Sequence, residues 1–215
     1  MVEIRICLEG GVLPNSNTSA ATINNSEKLR EAFHKLLSVV IDPVEFNLIV
    51  EIGAGYKNAA NVFKKYAILD NYTCLLIDLD GSISFKEEKL NELELIDSAQ
   101  CVFFMVQEME AWILSQPDVI EKCYNERYIK NRVNLNLLEL EPGLFNIHPE
   151  QITKPSDKLR IILGRYYSEM KGVIKKKKKY GKLKDAPLLI AHLDLNKLIG
   201  TFVDTKLLIE HIKCG

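Results

Sequence analysis

Apolar and polar positions alternate in two different rhythms along the first half of the chain. Residues 2–8 alternate apolar and charged side chains and are rich in Ile and Val, the period of a strand, and Gly10-Gly11 ends the run. The stretch from Gly11 to Asn25 is polar, with Pro14 and many Asn, Ser and Thr residues. It predicts a loop, with Ser26 as the N-cap of an amphipathic helix over 27–41. Phe46 to Ile52 is a second β-branched run, stopped by Gly53-Ala54-Gly55, and Ala60, Val62, Phe63 and Tyr66 give Lys57 to Ala67 helical spacing. Tyr72 to Leu79 predicts a third strand turned by Asp80-Gly81, and Cys101 to Val106 a fourth, followed by a helix containing Trp112.

Strands alternating with helices predict a Rossmann-like α/β fold: a central, mainly parallel sheet of about four strands with helices on both faces. After Val106 the pattern is mostly helical. Ser156 would cap a helix over 157–170, and further helices fall near 186–197 and 205–213. The reading is one domain over residues 1–215, with a sheet core over about 1–115 and a mostly helical C-terminal portion over about 116–215. A length of 215 residues and 47% hydrophobic content suit one well-buried core.

Charge changes this picture only locally. The formal net charge is −1, so bulk electrostatics name no partner, but residues 171–184 hold Lys171, the run Lys175 to Lys179, Lys182 and Lys184. Such a run reads as a solvated face or as a clamp on a phosphate backbone. Charged residues interrupt the N-terminal apolar ones from position three, unlike a signal-peptide core, and no stretch approaches the roughly 20 apolar residues of a membrane span. Five scattered cysteines without a Cys-x-x-Cys pair suit reduced thiols, and the four histidines show no zinc-ligand spacing. A cytoplasmic protein with no membrane association is expected.

In an open α/β sheet the functional crevice lies beyond the carboxyl ends of the strands. Glu9 ends the first predicted strand, and Asp78 and Asp80 close the third. Two residues apart on a strand, the aspartates would share a face and could share one ion, for which hard oxygen ligands suit Mg²⁺ or Mn²⁺. The same Asp78-Leu79-Asp80-Gly81 also reads as a strand ending in a turn. Gly53-Ala54-Gly55-Tyr56-Lys57-Asn58 could present backbone amides to a phosphate, with Lys57 adding charge, or could simply be a tight strand-to-helix turn. Glu108 and Glu110, if both helical, diverge by about 200°, so only one can face the crevice.

The succession Leu8-Glu9-Gly10-Gly11, Leu76-Ile77-Asp78-Leu79-Asp80, Met105 through Trp112, and Tyr180-Gly181-Lys182-Leu183-Lys184 resembles a bacterial TOPRIM-like family catalogued as domain of unknown function 4276. The resemblance spans most of the chain. It implies a TOPRIM domain like those of topoisomerases, bacterial primases and overcoming-lysogenization-defect nucleases. By that likeness Glu9 is a general acid/base, and Glu9, Asp78 and Asp80 hold the metal. Glu110 is a further catalytic residue, chosen over Glu108 because it matches the family motif, and Lys57, Lys182 and Lys184 contact phosphate.

The function the resemblance implies is a Mg²⁺- or Mn²⁺-dependent nuclease acting on nucleic acid, DNA before RNA, as the effector of an ATPase-linked bacterial defence system. An AAA- or ABC-type ATPase would be the partner, and self-association stays open. Two alternatives stand beside it. One is a non-catalytic module that binds nucleic acid or the ATPase, and the other is a metal-dependent nucleotide hydrolase.

Overall fold

A computed structural model describes residues 2–12, 19–68, 72–131 and 141–214. Strands β1 (Val2–Leu8), β2 (Phe46–Ile52), β3 (Thr73–Asp78) and β4 (Val102–Met105) form one sheet in the order β2-β1-β3-β4, with all three pairings parallel. All six residues of β3 are buried, as expected of a central parallel strand covered on both faces. Alternate residues serve opposite layers. Cys74 and Leu76 join the core on one side, and Leu75 and Ile77 join the core on the other.

The smaller layer is built by α2 (Tyr56–Ala67) and α3 (Lys86–Glu92), with Phe63 and Leu90 facing the sheet. The larger layer contains α1 (Ala20–Ser38), α4 (Met109–Leu114), α5 (Pro117–Asn125), α6 (Pro155–Tyr166), α7 (Lys182–Ile190), α8 (Leu195–Thr201) and α9 (Val203–Cys214). One apolar cluster runs from β1 and β3 through Phe33, Trp112 and Phe202 to Ile212. Each large side chain buried there contributes roughly 1.5–3 kcal/mol. The edge strand β4 is sealed by a side chain: buried Asp204 of α9 accepts the Phe104 amide at 2.8 Å and the Lys86 ammonium at 2.8 and 3.0 Å.

The expected α/β architecture is present, but several boundaries differ. The first helix begins at Ala20 under a cap from Ser19, whose oxygen accepts the Thr22 amide. Ser26 lies inside that helix, where its hydroxyl accepts the Val12 amide at 3.0 Å and tethers the post-β1 turn. The rest of the predicted loop, residues 13–18, lies outside the described residues. Ser156 is likewise no cap. Helix α6 starts at Pro155, and the Ser156 amide donates to the Glu108 carboxylate at 2.8 Å. The predicted helix over 186–197 is two helices, with Asp194 capping the second through the Asn196 amide at 2.8 Å.

The C-terminal half also holds a second sheet. Strands β5 (Ile129–Lys130), β6 (Tyr167–Lys171) and β7 (Ile174–Lys177) run antiparallel in the order β5-β6-β7. Every residue of β7 is exposed, Lys175, Lys176 and Lys177 included. Among the described residues, no helix is long and apolar enough to cross a membrane.

A carboxylate hollow at the switch point of the sheet

From β1 the chain crosses to β2 on one side of the sheet and then to β3 on the other. The carboxyl ends of β1 and β3 therefore flank the topological switch point, where open α/β sheets leave a crevice. A hollow of about 270 Å³ lies there, lined by Glu9, Asp78, Met109 and Lys182 among others. Gly10 and Gly11 form its lip with φ of +130° and +69°, conformations in which an added Cβ would also strike Leu29 and Ile52.

Glu9 and Asp78 are linked directly, since Glu9 Oε2 accepts the backbone N–H of Asp78 at 3.1 Å. Asp78 Oδ1 accepts the Met109 amide, the first of α4, at 2.7 Å, and Oδ2 accepts the Lys182 ammonium at 2.7 Å. Lys182 Nζ also stands 3.6 Å from Glu110 Oε2. Glu110 is fully buried. Its Oε1 accepts the Tyr180 hydroxyl at 2.9 Å, whereas Oε2 has no hydrogen-bond partner. Three acids thus meet around one lysine.

Burial is the main cause of the electrostatics. It raises Glu9 to about 7, helped by repulsion from Asp78 and Asp80 and opposed by the Asp78 amide and Lys182. Burial also raises Asp78, against the pull of Lys182 and the Met109 amide, and raises Glu110, against Lys182. Burial alone would lower Lys182, but Asp78, Glu110 and Glu9 outweigh it and hold the ammonium above its ordinary range. Tyr180, buried beside Glu110, is held well above the usual phenol range and stays a donor.

This network makes a prediction. Lys182→Met removes the only ammonium the described residues place on Asp78 and Glu110, and should cost about 2 kcal/mol in urea unfolding at pH 7. A loss of stability that shrinks as pH falls and the carboxyls take up protons would identify charge rather than packing as the cause.

The other expected site residues are distributed around the hollow. Strand β3 ends at Asp78, and Asp80 takes φ +58°, so the alternation that would have aligned the two aspartates stops short. The Asp80 carboxylate pairs with Lys89 at 3.3 Å in a neighbouring depression, where Lys89 lies 3.6 Å from the Tyr56 ring centroid. The Asp80 amide donates to the Gln107 carbonyl and the Gln107 amide to that of Gly81, at 2.8 and 3.0 Å, with Gln107 at φ +63°. Two left-handed non-glycine residues on the rim store strain of order 1–3 kcal/mol each.

Lys57 pairs with Glu92 at 3.3 Å and is exposed. Its glycine turn has a packing reason, because a Cβ on Gly53 would come within 2.4 Å of the Ala59 backbone. Lys184 faces away from the hollow into a separate groove. Glu108 binds the Ser156 amide, so of the two glutamates it is Glu110 that reaches the carboxylate network.

The strongest structural element is one the sequence patterns do not show. Lys178, within the lysine run, is buried, and its ammonium sits 2.9 and 2.8 Å from the two oxygens of buried Asp185. Asp185 Oδ2 also accepts the Gly181 amide at 2.8 Å. The pair buckles residues 178–181 against α7 and so carries Tyr180 and Lys182 into the site.

As a donor set, the hollow offers hard oxygen atoms that suit Mg²⁺ or Mn²⁺, which proteins hold with one or two carboxylates plus water and substrate oxygen. Glu9 and Asp78 fit that role, and Glu110 Oε2, which accepts no hydrogen bond, is a further acceptor behind them. Among the described residues, no three acidic, His or Cys side chains already converge as ligands of one ion.

Fold and site together define an open-sheet α/β protein with a lysine-compensated carboxylate hollow at its switch point. The chain belongs to the family described as domain of unknown function (DUF4276), whose model matches residues 21–204. The matched span includes Asp78, Glu110 and Lys182 and begins after Glu9. No curated protein and no solved structure matched the chain.

Proposed function

We propose that this protein is a metal-dependent phosphodiester hydrolase of TOPRIM-like type, acting on nucleic acid. The observation that carries the reading is the pairing of Glu9 with Asp78 across the switch point, with Glu9 held near 7 and so able to exchange a proton near neutral pH. Asp78 and Glu9 would hold the ion. Bound there, Mg²⁺ or Mn²⁺ would neutralise charge on the scissile phosphate and orient a water. Glu9 would take or return the proton, and Lys182, released from Asp78 by the ion, would face the phosphate oxygens, with Glu110, anchored by Tyr180, as its remaining carboxylate partner. An AAA- or ABC-type ATPase partner in a defence system belongs to the same proposal and rests on the TOPRIM resemblance, and a cytoplasmic location rests on the scattered cysteines that suit reduced thiols.

The test is cleavage of labelled single-stranded DNA, duplex DNA and RNA with Mg²⁺, Mn²⁺ or EDTA. Cleavage should require the ion and vanish in Asp78→Asn. Wild-type protein that leaves all three substrates intact with both ions, with and without a co-expressed ATPase, would retire the hydrolase.

One observation favours a second reading, a non-catalytic binding module. Lys182 already occupies the Asp78 oxygen that an ion would need. Ion binding must move that ammonium, and a crystal soaked in Mn²⁺ decides the matter. Manganese density on Asp78 supports the hydrolase, whereas an undisturbed Lys182–Asp78 contact supports the module.

A further inference from the structure

Helices α1 and α7 lie side by side, and the surface between them forms a second depression of about 370 Å³ beside the hollow. The two depressions share walls. Leu29 and Lys182-Leu183 border the hollow, and their neighbours Lys28 and Lys184 border the groove. Lys28, Lys35, Arg127 and Lys184 stand on the groove walls as exposed cations, and Glu31 is its single carboxylate. Fifteen ion pairs are formed among the described residues, and none involves these four cations.

Two details sharpen this concentration of positive charge. Lys28 and Lys35 are seven positions apart on α1, hence on one face and about 10.5 Å apart along the axis. Lys184 lies in the first turn of α7, together with Lys182, at the positive end of the helix dipole, where a cation is disfavoured. Exposed cations gathered on one groove present a positive surface to a polyanion. The floor, made by Ala32, Pro187, Leu188 and Ala191, is apolar. Repeating negative charge beside apolar faces is the chemistry of a nucleic-acid strand, whose phosphates would meet the cations while sugars and bases rest on the floor.

We infer that the α1–α7 groove binds the phosphodiester backbone of a nucleic-acid strand and leads it to the Glu9–Asp78 hollow. Lys28, Lys35, Arg127 and Lys184 are the phosphate contacts. The inference rests on the nucleic-acid reading of the hollow, but binding can be measured without cleavage.

The experiment is fluorescence anisotropy of a labelled single-stranded oligonucleotide in EDTA, over a salt series. It compares wild type with Lys28→Glu/Lys35→Glu and Arg127→Glu/Lys184→Glu, each checked for an unchanged melting temperature. Each pair should weaken binding at least tenfold and flatten the slope of log affinity against log salt by about 1.4, at about 0.7 per lost phosphate contact. Wild-type protein that fails to bind, variants that bind like wild type, or a poly-glutamate competitor as effective as unlabelled oligonucleotide would each overturn the groove. Groove-dependent binding without metal-dependent cleavage would retire the hydrolase and leave the groove standing. Cleavage with groove-independent binding would do the reverse.

Discussion

Lys178→Met should destabilise the protein by about 3–5 kcal/mol, a large share of the 5–15 kcal/mol that holds a typical domain together. Lys178 and Asp185 are both nearly inaccessible, at 2% and 4% side-chain exposure, and the ammonium is shared by both carboxylate oxygens and by the Lys179 carbonyl at 2.9 Å. Methionine can fill the space but leaves Asp185 as a buried charge that has lost its ammonium and keeps the Gly181 amide. The double variant Lys178→Met/Asp185→Asn removes that charge while keeping an acceptor for Gly181, and should recover more than half of the loss. Urea unfolding of wild type, both single variants and the double variant gives the coupling directly. A single-variant loss under about 1 kcal/mol would show that the pair is not the buried strut described here.

Glu9→Gln should abolish cleavage and, above pH 7, make the protein more stable. The native carboxyl titrates near 7, against an ordinary value of 4.5. Between these values the folded protein keeps a proton that the unfolded chain has released, so native stability falls as pH rises through that window and remains lower beyond it. The fall is on the order of 3 kcal/mol. Glutamine cannot titrate but can still accept the Asp78 amide. Wild type and variant should therefore unfold alike at pH 4 and diverge by pH 8, in EDTA throughout. A stability difference that does not change with pH would mean that Glu9 is not confined as the geometry indicates. The opposite responses of cleavage and stability are those of a residue kept for chemistry at the expense of the fold.

The parts legible in the sequence were those with dense, periodic burial. The four strands of the parallel sheet stand out because β3 and β4 carry unbroken apolar runs, Cys74 to Ile77 and Val102 to Met105, and β1 alternates. Glu9 and Asp78 were placed correctly at strand ends because Gly10-Gly11 and Asp80-Gly81 mark where the strands stop. The β6–β7 hairpin was not legible, because β7 is exposed along its whole length and its side chains carry no inside-outside rhythm. Ser19 and Ser26 offer the same capping chemistry, and only the Val12 amide decides that Ser26 serves inside the helix. Asp80 escaped because a left-handed φ on a non-glycine residue accompanies the bond from its amide to the Gln107 carbonyl, a partner 27 positions away in the chain. Lys178 escaped for a related reason. Within five consecutive lysines, only the depth of the fold separates the buried one from its neighbours.

The exposed lysines of β7 have a separate consequence. In the three-stranded sheet β7 has β6 on one side and no described strand on the other. An open edge is a template on which another copy of the same hairpin could add itself, the first step of uncontrolled aggregation. Lys175, Lys176 and Lys177 occupy three of the four positions of that edge, so two such strands laid together would bring rows of like charge into register. Whatever else these lysines contact, they disfavour the addition of a like strand to the second sheet.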